Sequence, residues 1–208
     1  MRRFAGRRRL TGRLYPAPVP VLAGTDPLPY RPRRVLVAGT SGSGKTTLAR
    51  AVAAVLGCPC VELDALHHGP GWTKRRDFED DVRRAAAGPT WASEWQYSAV
   101  RALLLDRADL LVWLDLPRRV VTVRVVRRTV RRRIRREVLW NGNIEPPLRT
   151  FLTDRDHIVR WAWRTHSRTR ERVLAALATR PELVVVRLTS PAQVDAWVDG
   201  PLRSGAYC

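Results

Sequence analysis

From Arg34 onward, short apolar runs alternate with longer stretches whose apolar residues recur at helical spacing, the rhythm of βα units on a parallel sheet. VLVA (35–38) predicts a first strand and TTLARAVAAVL (46–56) a first helix, stopped by Gly57. CVEL (60–63) predicts a second strand ending at Asp64. LHHGPGW then reads as a loop, and RRDFEDDVRRAAA (75–87) as a polar helix closed by Gly88-Pro89. A weaker third strand, TWAS (90–93), precedes a helix over YSAVRALLLDRA. LLVWL (110–114) predicts a strand ended by Asp115. There follow a long arginine-studded helix, the loop WNGNIEPP, and another long helix from about Phe151 to Ala178. ELVVVRL (182–188) is the last strand, and SPAQVDAWV a short helix with Ser190 as its cap. Five strands with helices between them define an α/β class, without internal repeats.

The stretch ahead of this pattern is different in kind. Residues 1–33 hold eight arginines against Asp26 alone and are broken by prolines, which predicts a disordered basic tail; a nucleic-acid-binding arm is the functional alternative. Nothing in it forms the apolar centre of a signal peptide. The domain is expected over 34–199, with a C-terminal tail at 200–208.

A length of 208 residues, 45% of them apolar, suits one domain with a real core. The net charge of +19 points to polyanionic company: nucleic acid, a membrane surface or phosphorylated small molecules. Three cysteines, two of them in Cys58-Pro-Cys60, make neither a disulfide framework nor a zinc site and suit a reducing cytoplasm. No apolar run approaches the roughly 18 residues of a membrane span.

Chemistry enters at one place. All but two of the 38 basic residues are arginine, the exceptions being Lys45 and Lys74. Lys45 closes Gly39-Thr40-Ser41-Gly42-Ser43-Gly44-Lys45-Thr46, which fits the G-x-x-x-x-G-K-[ST] phosphate loop between a strand and a helix. Backbone N–H groups wrap the phosphates, glycines permit the turn, and the helix start adds its dipole. A lysine reaches over such a loop as a slender point charge where a guanidinium would fit poorly. Thr46 would offer its hydroxyl to Mg²⁺, while Thr47 packs or caps. Together these residues predict binding of nucleotide phosphates with magnesium. A guanine-reading N-K-x-D is missing, and so is a strand ending in the adjacent acids of AAA and transport ATPases.

From Arg34 to about Val198 the chain resembles the nucleoside-monophosphate-kinase group, and within it the bacterial adenylate-kinase-like proteins often labelled topology modulation proteins. The residues that carry the likeness are GTSGSGKTTLA, VELDALHHGPGW, Y-S-x-V-R at 97–101, RADLLVWLDLPRRV, WNGNxE and HIVRWAWRTH. The resemblance implies a five-stranded parallel sheet in the order 2-3-1-4-5 and ATP over the loop. It also implies an acceptor across the crevice at the strands' carboxyl ends, and a lid at about 118–149. Asp64 stands where related small-molecule kinases hold or activate the acceptor hydroxyl, with His67, His68 and Trp72 in the same loop. Where the family reads D-G-N-Y, this chain reads Glu94-Trp95-Gln96-Tyr97. Glu94 would take the aspartate's place beside Mg²⁺, and Trp95 is expected to crowd the neighbourhood. Asp115, at the end of its strand, is a second candidate for the metal side.

In the arginine block, Arg124, Arg127, Arg128, Arg131 and Arg135 form one helical stripe. Arg124, Arg128 and Arg131 are the candidates for neutralising charge on the transferring phosphoryl group; the alternative is a solvated helix written in arginine. Arg160, Arg164 and Arg168 form a second cluster. Two functions remain open: an ATP-dependent phosphotransferase acting on a small acceptor, with a nucleoside monophosphate implied by the resemblance, and a nucleotide-regulated DNA- or RNA-binding protein.

Overall fold

The structure is a computed structural model that describes residues 21–143 and 158–204, with the side chains of 158–165 outside the description. In chain order the elements are β1 (Val21–Ala23), β2 (Arg34–Gly39), α1 (Lys45–Leu56), β3 (Cys60–Val61), α2 (Leu63–His67), α3 (Phe78–Ala86) and β4 (Trp91–Glu94). After these come α4 (Ser98–Arg107), β5 (Leu110–Leu114), α5 (Arg118–Ile134), α6 (Ile158–Thr179), β6 (Val184–Leu188) and α7 (Pro191–Trp197).

All strand pairs are parallel, and the sheet runs β1-β6-β5-β2-β4-β3. Among the described residues six strands therefore stand where five were expected, and the order differs from 2-3-1-4-5 by the addition of β1 beside β6. Val21–Ala23 was too short to show any alternation, and the prolines around it read as disorder. An edge strand tolerates such neighbours because one side of its ladder is unpaired anyway. Asp26 fastens the turn after it by accepting from Ala23 N at 2.7 Å, and Leu28 is buried in the core. Residues 21–33 are thus part of the domain; the remainder of the proposed tail lies outside the described residues. At the other end, a turn at Val198–Leu202 buries Leu202, so the domain extends beyond 199.

Every residue of β4 and β5 is buried, because helices cover both faces of the sheet. Strand residues alternate between two cores. Val35, Val37, Val112, Leu114, Val186 and Leu188 meet α1, α5 and α7 on one face. Leu36, Ala38, Leu111, Trp113 and Val185 meet α3, α4 and α6 on the other. Ser190 caps α7 as predicted, accepting from Gln193 N at 3.2 Å. The expected strand 60–63 stops at Val61, and the segment after it folds as α2 rather than a loop. Among the described residues no helix is long and apolar enough to cross a membrane.

Candidate active site

The loop from Gly39 to Gly44 joins the central strand β2 to α1. Gly42 and Gly44 take φ of 82° and 100°, a region that only glycine enters freely. At Gly42 a Cβ would also run into Val125 of α5. Ser43 N donates to Thr40 O at 3.1 Å, closing the turn. The hydroxyls of Thr40 and Ser43 are buried without a partner, so polar groups line a cradle still owed hydrogen bonds.

Lys45, the first residue of α1, folds back over this loop, and its Nζ donates to Thr40 O at 3.2 Å. Desolvation lowers its pKa, Asp64 and Glu94 act in the opposite sense, and the charge of Arg128 adds to the lowering. Thr46 Oγ1 donates to Glu94 Oε1 at 2.6 Å, and Leu63 N donates to Glu94 Oε2 at 3.2 Å. Glu94 is only 1% exposed. Burial is the main cause of its raised pKa, against the downward pull of the Thr46 hydrogen bond. A threonine hydroxyl and a carboxylate in contact beneath a phosphate loop fit Mg²⁺ held partly through water. Thr47 is exposed on the helix.

Trp95 does not crowd this site. Side chains alternate along an extended segment, so Glu94 turns to α1 while Trp95 enters the opposite core, where its Nε1 donates to Arg101 O at 3.1 Å. Asp115 is occupied elsewhere: Arg187, lying over the Trp113 ring, binds it at 2.5 Å. Glu94 is therefore the metal-side candidate in contact with Thr46.

Asp64 lies in the first turn of α2. Its Oδ1 accepts from Gln96 Nε2 at 2.8 Å and from Tyr97 Oη at 2.6 Å. His68 Nε2 lies 3.2 Å from the same phenol, and His67 stacks on its ring at 4.2 Å. Burial first, then the charge of Asp64, push the Tyr97 pKa up, so it remains a donor. Burial, then His68, lower the pKa of His67. Trp72 meets His68 edge-on at 5.1 Å, and Trp140 approaches it from the far end of the arginine segment at 6.4 Å. Of the four described non-glycine residues at positive φ, Trp72, Tyr97 and Asn141 belong to this neighbourhood. Local strain of this kind gathers at functional sites.

Helix α5 buries Val121, Val125 and Thr129 against the domain. That line carries Arg124 to the loop, where its Nη1 donates to Ser43 O at 3.4 Å, and places Arg128 close enough to Lys45 to oppose its charge. Arg131 is exposed, as is Arg168. The side chains of Arg160 and Arg164 lie outside the described residues. Sequence reasoning missed Gln96 and Tyr97 as the partners of Asp64, and Arg132, whose guanidinium sits 5.9 Å over Trp140. A tyrosine three residues after a strand-terminal acid was the available signal.

The fold and the loop together make this an α/β protein with a phosphate-loop motif between its central strand and α1. Residues 35–86 match the family described as ATPase family associated with various cellular activities (AAA). That match takes in the phosphate loop and ends before Glu94 and Asp115. No curated protein matches the chain. Among solved structures the chain is similar to a gluconokinase from Sinorhizobium meliloti, with 20% identity over 85% of this chain and 95% of that one and a TM-score of 0.46. It is also similar to a shikimate kinase from Bacteroides thetaiotaomicron, with 15% identity over 81% and 95% of the two chains and a TM-score of 0.43. A sugar kinase from a Janibacter species gives 19% identity over 79% and 99%, with a TM-score of 0.33. Likenesses at this level assign neither an acceptor nor the role of any residue.

Proposed function

We propose that the protein transfers the γ-phosphoryl group of ATP to a small acceptor, with a nucleoside monophosphate or a related small molecule as the first class to test. The observation that carries this reading is the pairing of two anchored groups at one end of the sheet. Lys45 and Thr46 serve a phosphate loop, and Asp64 is held by two donors on the acceptor side.

Backbone N–H groups of residues 39–46 bind the triphosphate, and Lys45 neutralises its outer oxygens. Thr46 and Glu94 are the residues that would hold magnesium, which would supply positive charge to offset that of the phosphates. Asp64 orients the acceptor. If the acceptor presents a hydroxyl, Asp64 receives its proton as the oxygen attacks the γ-phosphorus, and the bond from that phosphorus to the β–γ bridging oxygen breaks to release ADP. Arg124 and Arg128 sit where charge builds on the moving group, and their covering helix limits water.

ADP formation, measured against nucleoside monophosphates, nucleosides, gluconate and shikimate with Lys45→Ala as control, tests the reading. It predicts stimulation by one acceptor class, abolished in Lys45→Ala and reduced about 10²-fold or more in Asp64→Asn. Equal, acceptor-independent ATP loss in wild type and Lys45→Ala would refute it.

A further inference from the structure

Two turns with the same hydrogen-bonding pattern face each other on the acceptor side. In the first, Gly69 N donates to Thr73 O at 2.7 Å and Thr73 N to Pro70 O at 3.4 Å. In the second, Leu139 N donates to Asn143 O at 2.7 Å and Asn143 N to Trp140 O at 3.3 Å. Each turn contains a left-handed glycine, Gly71 or Gly142, next to a left-handed residue that carries a side chain, Trp72 or Asn141. The second turn follows the arginine helix; the first follows Asp64 and the two histidines.

Asn143 joins them. The residue is 4% exposed, and both ends of its side-chain amide are hydrogen-bonded. Nδ2 donates to Gly69 O at 2.9 Å and to Trp140 O at 2.8 Å, and Oδ1 accepts from Trp72 N at 2.9 Å. Neighbours add to the junction. Asn141 Nδ2 donates to His68 O, and Trp140 Nε1 to Glu62 Oε2 at 3.4 Å. Trp72 is 36% exposed on a backbone at φ 61°, a conformation that is strained for a residue with a Cβ and persists where surroundings hold it.

We propose that Asn143 is a positioning residue. By fixing the backbone of Gly69 and Trp72, it makes the turn beyond the arginine helix build the aromatic wall beside Asp64. Docking of that turn and shaping of the acceptor pocket are then a single event. The word acceptor rests on the phosphotransfer reading; the mechanical coupling does not.

Hydrogen exchange on the full chain tests the coupling, comparing wild type with Asn143→Ala and Asn143→Asp. The aspartate keeps the shape but sets a carboxylate oxygen against two carbonyl oxygens. Both variants should exchange about tenfold faster over residues 66–76, as loss of buried hydrogen bonds implies. Exchange over 39–48 and the ATP dissociation constant should stay unchanged. Wild-type protection of 66–76 in either variant would overturn the proposal, as would equal acceleration through the whole domain. Failure of wild type to bind ATP would instead defeat the phosphotransfer reading and leave the exchange comparison standing.

Discussion

Lys45 is enclosed by the loop whose phosphates it would neutralise, and Thr40 O already takes one of its donors. A guanidinium is broader and flat. Lys45→Arg should therefore lower ATP turnover nearly as far as Lys45→Ala, by about 10²-fold or more on the scale of losing one charge-stabilising donor; steady-state ADP assays compare the two. Glu94 makes a prediction with a sign. Its pKa is raised in the folded state, chiefly by burial, so the folded chain binds a proton there more readily than the unfolded chain does. Between the ordinary value of 4.5 and the raised one, stability falls as pH rises. Above that window the ionised carboxylate is a standing cost. Glu94→Gln should therefore melt higher than wild type at pH 7. The gain should vanish near pH 4, while turnover drops. Thermal melts at the two pH values check the direction.

At the level of elements, the loop and helix α5 are fitted to each other through Gly42 and Val125. Gly42→Ala meets both a collision and a φ of 82°. It should cost about 1–3 kcal/mol in urea unfolding, and adding Val125→Ala should recover only the steric part. The strand, loop and helix from 34 to 56 were legible in the sequence because glycine spacing, an apolar run and helical periodicity agree there. Helix α2 was hidden because its five residues, Leu63–His67, are too few to show a period. Trp95 misled because its neighbours name a site, whereas strand alternation sends its side chain to the core. The partners of Asp64 stayed illegible for another reason. Gln96 and Tyr97 reach it only through the pairing of β3 with β4, a contact across 32 and 33 positions.

Across the whole molecule, β1 changes the meaning of a deletion. Removing residues 1–33 takes away an edge strand and the buried Leu28 along with the arginines. It should lower stability, and Leu28→Ala alone should cost about 2–4 kcal/mol by chemical denaturation. A fair test of the basic arm as a polynucleotide ligand cuts ahead of Val21. If the arm binds, affinity disappears with that cut and falls steeply with salt. The +19 charge by itself decides nothing, because arginines at the loop and arginines in the arm call for different anions.

Titration calorimetry of ATP with millimolar magnesium into wild type and Lys45→Ala reaches the central claim most directly. Saturable heat with wild type, lost in the variant, is the predicted result. No heat with wild type, or equal heat with both proteins, would contradict the assignment of residues 39–46 as a triphosphate cradle.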